Sequence, residues 1–308
     1  MPKNTFRLAI LGALLAASAA GAQTNPLWGE TKVKNYLPHM SWTEVEDLLT
    51  RTDMVIMPVG SLEQHGPHLP IGTDFLNGME RAKLVAQRTD VLVAPIMFVG
   101  NAAYHLGFPG TVSLPAETIQ QVYFEAAKSL MRQGFKRFLI LNAHGGNRVI
   151  SQYIADRINH ETEGIAVELG AASAPFRQET RAEPESREPV FDRHGGVGET
   201  SSSLYLIPDL VDLSKARAAT LTMPEHLERM VPEVVAGDQT ALRVFLAENL
   251  KAEVTGKGTS TREITDTGVW SVRDLEESSV ERGRRGAEAF VEAAVAFIER
   301  WKELRPME

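Results

Sequence analysis

A run of six apolar residues, Met54–Val59, breaks at Gly60 into Gly60-Ser-Leu-Glu63-Gln-His65-Gly66-Pro-His68-Leu-Pro70-Ile-Gly-Thr-Asp74. An apolar run bounded by glycine and proline reads as a buried strand ending in a loop. Successive strand side chains point to opposite faces, so Glu63 and His65, two apart, project the same way. Asp74 returns to that point across the Gly/Pro-shaped loop. Carboxylates and imidazoles gathered at one buried strand end need something to neutralise and bind them, and a divalent metal does that best. A lone His or Asp beside a Gly-Pro turn would be a cap or a solvated loop residue. Repetition of the pattern decides against that reading.

Arg137–Leu141 is a second short apolar strand, and it runs straight into Asn142-Ala-His144-Gly-Gly-Asn147. His194-Gly-Gly-Val-Gly-Glu199-Thr-Ser-Ser adds another His/Glu pair in a Gly-rich setting. Glycine allows positive φ and close backbone approach, which a tight ligand shell requires. Three such loops, two of them at strand ends, fit a site at the carboxyl edge of an α/β sheet.

The rest of the chain alternates in the same way. Ser41-Trp-Thr-Glu44 is a capping box opening a helix through Leu49. Val91–Phe98, interrupted by Pro95, reads as a strand, and Pro115 opens a helix with Ile119, Val122, Ala126 and Leu130 on its apolar face. A helix over Arg148–Asn159, a strand over Ile165–Leu169 and a final helix over Arg284–Leu304 follow. The last carries Phe290, Ala294, Phe297, Trp301 and Leu304 as a core-facing stripe. The expected architecture is three-layer α/β/α, a largely parallel sheet with helices on both faces.

On these residues the chain resembles the creatininase family, the creatinine amidohydrolases and their relatives. Members carry E-x-H-G-x-H-L-P…D, N-G-H-G-G-N and H-A-G-x-x-E-T-S segments. Here they stand in order as Glu63–Asp74, Asn142–Asn147 and His194–Ser201, with Ala143 and Gly195 departing from the pattern. Phe108-Pro-Gly-Thr-Val-Ser-Leu114 matches the family's F-P-G-T-[IV]-S-L, and the likeness spans roughly residues 36 to 300. The resemblance implies two divalent metal ions. Asp74 would bridge them, with Glu63 and His144 completing one ion's protein ligands and His65 and Glu199 the other's. In creatininase proper the second-metal glutamate lies two residues after the histidine matching His144. That place is Gly146 here, so Glu199 is the substitute. A mix of hard oxygens and imidazoles suits Zn, Mn or Fe.

The resemblance further implies hydrolysis of a non-peptide C–N bond in a small linear or cyclic amide. A hydroxide held between the metals would attack the carbonyl, with His194 as proton shuttle. The plainer role for His194 is a histidine hydrogen-bonded to a ligand. His68 would orient the Glu63–Asp74 loop. His105, Phe108 and Trp270 are the expected substrate contacts, with Phe176 a further aromatic near the ligand. Other chemistries open to the same metal site are formamide deformylation and peptidase action on a modified peptide. A periplasmic metal-binding protein without turnover is the non-enzymatic alternative. Family members form hexamers, so a homo-oligomer is expected.

Met1–Ala22 reads as a secretory signal peptide. Lys3 and Arg7 form its basic start, Leu8–Ala20 its apolar core, and Ala20-Gly-Ala22 an A-x-A cleavage site. An uncleaved anchor is the alternative, although the core is short for a membrane span. The remaining 23–308 suits a single domain, located in the periplasm or secreted. Removing Lys3 and Arg7 moves the net charge from −8 to −10, which disfavours nucleic acid and anionic membrane surfaces as partners. With no cysteine, the chain has neither disulfides nor thiolate ligands. No G-x-S-x-G elbow or G-x-x-x-x-G-K-[ST] loop occurs. Two polar stretches, Ala172–Arg193 and Lys251–Asp266, read either as plain surface loops or as walls of the metal site.

Overall fold

The structure, a computed structural model, describes residues 31–177, 191–217, 225–249 and 261–307. Met1–Ala22 lies outside the described residues, as do 178–190 and 251–260 of the two polar stretches. The chain divides into Met1–Lys32 and Val33–Glu308, and the architecture below belongs to the second unit. No helix among the described residues is long and apolar enough to cross a membrane.

In chain order the elements are α1 (Trp42–Leu49), β1 (Met54–Val59), α2 (Thr73–Thr89), β2 (Leu92–Val93), α3 (Ala116–Met131), β3 (Arg137–Asn142) and α4 (Arg148–Glu161). There follow β4 (Ile165–Glu168), α5 (Leu169–Ser173), β5 (Asp192–His194) and α6 (Val197–Leu206). Four short or peripheral helices come next, α7 (Glu225–Glu228), α8 (Val231–Val235), α9 (Gln239–Asn249) and α10 (Thr261–Ile264). β6 (Trp270–Ser271) and α11 (Val280–Leu304) complete the unit. β1–β4 form a parallel sheet in the order β2-β1-β3-β4, and β5 pairs with β6 in a separate antiparallel ribbon.

The strands are buried on both faces, so alternate side chains feed two different cores. Val55, Met57, Val59, Phe138 and Ile140 pack with residues of α3 and α4, among them Ile119, Tyr123 and Ile154. Met54, Ile56, Leu139 and Leu141 turn the other way, onto Phe75, Met79, Val85, Val291 and Ile298 of α2 and α11. Each fully buried side chain of this size contributes about 1.5–3 kcal/mol. The sandwiched sheet is therefore the rigid part of the molecule, the three-layer α/β/α arrangement the alternation called for.

Local differences have local causes. The capping box is present, with Ser41 Oγ accepting from Glu44 N and Ser41 N donating to Glu44 Oε2 at 2.8 Å. The strand expected over Val91–Phe98 shrinks to Leu92–Val93, because Pro95 offers no N–H to a ladder. β4 stops at Glu168, whose carboxylate accepts from Gly170 N and Ala171 N and starts α5 instead. On α3 the buried stripe is Ile119, Tyr123, Ala127 and Leu130, leaving Val122 exposed. Leu304 is 68% exposed in the last turn of α11 and takes no part in the core. The β5–β6 ribbon was not expected.

Two close approaches lock α2 against the sheet edge. A Cβ at Gly60 would meet Phe75 Cα at 2.5 Å, and one at Gly78 would meet Ala143 Cβ at 2.5 Å. Gly78 is a poor helix former in mid-helix, and its lack of a side chain is what admits the Ala143 methyl.

Candidate metal centre

Parallel pairing sets the ends of β1 and β3 side by side, Val59 opposite Asn142. The chain leaving β1 therefore delivers Glu63 and His65 to the spot where the chain leaving β3 delivers His144. Asp74 and Glu199 arrive differently from the loop placement read in the sequence. Each sits in the first turn of a helix, α2 and α6 respectively, where the helix dipole favours a carboxylate. Glu199 Oε2 also accepts from Gly195 N at 2.7 Å. Gly195 adopts φ +59°, and a Cβ there would meet His65 O at 2.8 Å.

Three sets of candidate ligand atoms each lie within 4.8 Å of one another: Glu63, Asp74 and His144; His65, His194 and Glu199; and Glu63, His105 and His194. Asp74 joins the first two, with Oδ2 at 2.9 Å from His144 Nδ1 and Oδ1 at 3.2 Å from His65 Nε2. One carboxylate thus presents an oxygen to each of two imidazoles.

The other nitrogen of each ring identifies the tautomer. His65 Nδ1 lies 3.1 Å from Glu63 O, His144 Nε2 2.8 Å from Asn101 O, and His194 Nε2 2.5 Å from Gln64 O. A carbonyl only accepts, so each of these nitrogens carries a proton and its opposite number is bare in the neutral ring. The bare atoms are His65 Nε2, His144 Nδ1 and His194 Nδ1. All three face carboxylates: His65 Nε2 is also 3.6 Å from Glu199 Oε2, and His194 Nδ1 is 3.6 Å from Glu63 Oε1. Lone pair against carboxylate is repulsive unless a cation lies between them. Asp74 Oδ2, moreover, is buried without a hydrogen bond of good geometry. Both observations fit a metal site.

The charges tell the same story. Burial, reinforced by Asp74, holds the Glu63 carboxyl above its ordinary value. Burial also lifts Glu199 to about 7, against the opposing pull of His65. Burial alone would lower His65, yet Asp74, Glu199 and Glu63 together raise it to about 10. His144 is likewise raised by Glu63 and Asp74 despite its burial. In the absence of a metal, protons must do a cation's work.

The other singled-out residues lie around this cluster. His68 Nε2 meets Thr200 Oγ1 at 2.8 Å and His68 O accepts from Asp212 N, so the histidine ties its loop to α6. Burial, with His65 nearby, lowers its pKa to about 4. His105 is buried behind Glu63, 3.5 Å from Oε1, with Nδ1 2.7 Å from Thr261 Oγ1. Trp270 packs behind it, ring centroids 5.8 Å from His105 and 6.2 Å from His194. Phe108 lies under the Arg262 guanidinium. Phe176 is elsewhere, in a surface groove with Phe297 and Trp301, which corrects its placement near the ligand.

The open side of the site is a cavity of about 220 Å³ lined in part by Asp74, Asn77, Arg81, Asp192, Glu199 and Ser202. His105, Phe108 and Trp270 are not in its wall. Sequence reading passed over Arg81, Ser202 and Gln64. Gln64 sits between Glu63 and His65; its Nε2 donates to His105 Nδ1 and to Gly268 O, both at 3.0 Å, while its backbone carbonyl holds His194 Nε2. Arg81 could have been found from spacing, since it stands two helical turns after Asp74 on one face.

The family model for creatinine amidohydrolases matches residues 38–298. The chain belongs to the creatininase family. It is 32% identical over 218 residues to a mycofactocin precursor peptide peptidase from Mycolicibacterium smegmatis, covering 65% of this chain and 81% of that protein. It is 29% identical over 194 residues to a creatinine amidohydrolase from Pseudomonas putida, covering 58% and 75%. Among solved structures, a tryptophan-to-alanine creatininase mutant superposes with a TM-score of 0.65 at 23% identity, over 89% of this chain and 100% of that one. The family resemblance places a glutamate at Gly146, a position this fold crowds. A Cβ there would meet Asn101 O at 2.4 Å and His144 Nε2 at 2.5 Å, leaving no room for a glutamate.

Proposed function

We propose that the protein is a dinuclear-metal amidohydrolase acting on a small linear or cyclic amide, exported to the periplasm or secreted, and working as a homo-oligomer. The observation that carries the reading is Asp74, whose two oxygens face the bare nitrogens of two different imidazoles. Glu63, Asp74 and His144 would hold one Zn, Mn or Fe ion, and His65, Asp74 and Glu199 the other. Mn and Zn both occur in creatininase structures with this fold. Such a pair supplies an activated water and polarises a carbonyl.

The chain's own residues do the rest. Asn101 O and the backbone carbonyls of Glu63 and Gln64 fix the ring orientations, as hydrogen bonds behind metal ligands commonly do. His194 Nδ1 faces the centre as a free base, its other nitrogen held by Gln64 O. It accepts the nucleophile's proton and returns it to the departing nitrogen. Burial holds this imidazole well below its ordinary pKa, with His65 adding to the effect, so it is neutral and able to accept. The cavity of about 220 Å³ favours a small substrate over a drug-sized one.

A peptidase reading has support from the mycobacterial relative, which acts on a precursor peptide. The test is metal analysis of the mature protein, combined with turnover of a panel holding creatinine, N-formyl amides and short peptides. Two equivalents of metal with turnover of any member support the reading, and the member identifies the class. Metal that cannot be loaded above half an equivalent overturns it. Light scattering on the same sample reads the oligomer, and fractionation of the source cell reads the location.

A further inference from the structure

Arg81 is a half-buried charge without an ionic partner among the described residues. It stands on α2 seven residues after Asp74, and its guanidinium lines the cavity that Asp74 and Glu199 also line. Its one hydrogen bond to a protein group runs from Nη2 to Ser202 Oγ, a neutral acceptor, at 2.7 Å. Nε is enclosed and has no partner. Glu199 and Asp74 act on it only through space, beyond ion-pair distance, and burial lowers its pKa without discharging it. The one carboxylate besides theirs in the cavity wall belongs to Asp192, which is already engaged, accepting from Val197 N at 2.9 Å and Gly198 N at 3.1 Å. Exposed Arg193 adds a second positive charge to the same wall.

A half-buried guanidinium with no counter-ion in reach is costly to keep. Neutralising the ligand carboxylates does not account for it. The three ligand carboxylates carry three negative charges and two dications would bring four positive ones, so the loaded centre no longer needs a further cation. A guanidinium with open N–H groups is shaped for a carboxylate.

We infer that Arg81, steadied by Ser202, binds a carboxylate of the substrate at the far end of the cavity, so that the enzyme selects acidic amides. This rests on the hydrolase reading above. Seven helical residues separate the Asp74 and Arg81 Cα atoms by about 10 Å. Helical side chains lean back toward the N-terminus, so roughly three to five carbons bridge the metal end and the guanidinium. The substrate class is then a small amide bearing a carboxylate at that distance from the scissile carbonyl.

The test is calorimetric binding of glutarate, butyrate and inorganic phosphate to metal-loaded, full-chain wild type, Arg81→Met, Arg81→Lys and Ser202→Ala, with metal content measured on each sample. Glutarate has a carboxylate at both ends and butyrate at one. Wild type is expected to prefer glutarate at least tenfold. Arg81→Met should lose that preference while keeping its metal and its butyrate affinity within twofold. Arg81→Lys, which keeps the charge but not the fork, should retain part of it, and Ser202→Ala should weaken glutarate a few-fold. Should Arg81→Met fail to fold, the wild-type preference and the graded losses in the other two variants decide the matter. Equal glutarate affinity across all four proteins overturns the inference. Arg81-dependent binding of phosphate with none of glutarate overturns the carboxylate assignment. Arg81-dependent glutarate binding in protein that holds no metal keeps the acid site and sinks the hydrolase reading, while two equivalents of metal with no Arg81 dependence does the reverse.

Discussion

The two walls of the site are built by different means. One comes off the sheet edge, where Glu63, His65 and His144 follow β1 and β3 and are pinned by backbone carbonyls. The other comes from helices: Asp74 and Arg81 on α2, Glu199 and Ser202 on α6, all facing the cavity. The sheet wall is buried and its rings have their orientations fixed. The helix wall carries the Asp74 and Glu199 carboxylates together with Arg81 and Ser202, which line the cavity. On the proposed function, the sheet wall would set the chemistry and the helix wall would choose what undergoes it.

Asp74 stands on the helix wall and faces both His65 and His144 of the sheet wall, so its removal breaks the comparison most severely. Asp74→Ala should lose both metals, leaving Glu63 and Glu199 unneutralised beside each other. Elemental analysis showing two equivalents retained would end the bridging assignment. Next comes His194→Ala, expected to lower kcat by about 10²- to 10⁴-fold with metal content unchanged. Metal lost along with activity would make His194 a ligand rather than a base. Gly146→Glu restores the residue that the family resemblance places there, yet the contacts at 2.4 and 2.5 Å predict displacement of the His144 ring. Weaker metal binding is expected, and a gain in affinity would show that the loop yields.

A smaller effect sharpens the electrostatic side. In stripped protein the folded-state pKa of His65, about 10, lies above its ordinary 6.5. That proton's stabilisation is complete below pH 6.5 and disappears as pH rises through 10. The Tm of stripped protein should therefore fall across that window, and metal should flatten the fall. A stripped protein with constant Tm from pH 6.5 to 10 would contradict the proton-for-cation account. Least of all at the metal should come from behind the sheet wall: Trp270→Phe, with no hydrogen bond to lose at Nε1, should leave metal content unchanged and cost about 1–3 kcal/mol in denaturant unfolding through the cavity it opens.

The sheet wall was legible because strand periodicity and Gly/Pro punctuation are local, and Glu63, His65 and His144 sit a few residues past apolar runs. The helix wall was legible only in part. Asp74 and Glu199 stood out by motif, but nothing near them announced a helix start, since neither α2 nor α6 has a side-chain cap hydrogen bond at its N-cap. Arg81 went unseen because a single arginine on a helix reads as solvated; its meaning depends on the cavity's acids being out of ion-pair reach or already engaged. Trp270 and His105 stand apart from the cavity wall. Their types suit a pocket, but tertiary packing put them in a second layer, joined to the site through His194 and Glu63.

The contact between Gly78 and Ala143 has a consequence for how this enzyme could change. The helix and the loop share room for one methyl group, and in this chain the loop has it. Gly78→Ala alone would push α2 outward and shift Asp74 and Arg81 together, altering the reach of the site without touching its chemistry. Combined with Ala143→Gly, the methyl merely changes sides. Two substitutions that are each conservative thus form a joint setting for the distance between hydrolytic centre and substrate wall, open to drift in a lineage or to deliberate adjustment.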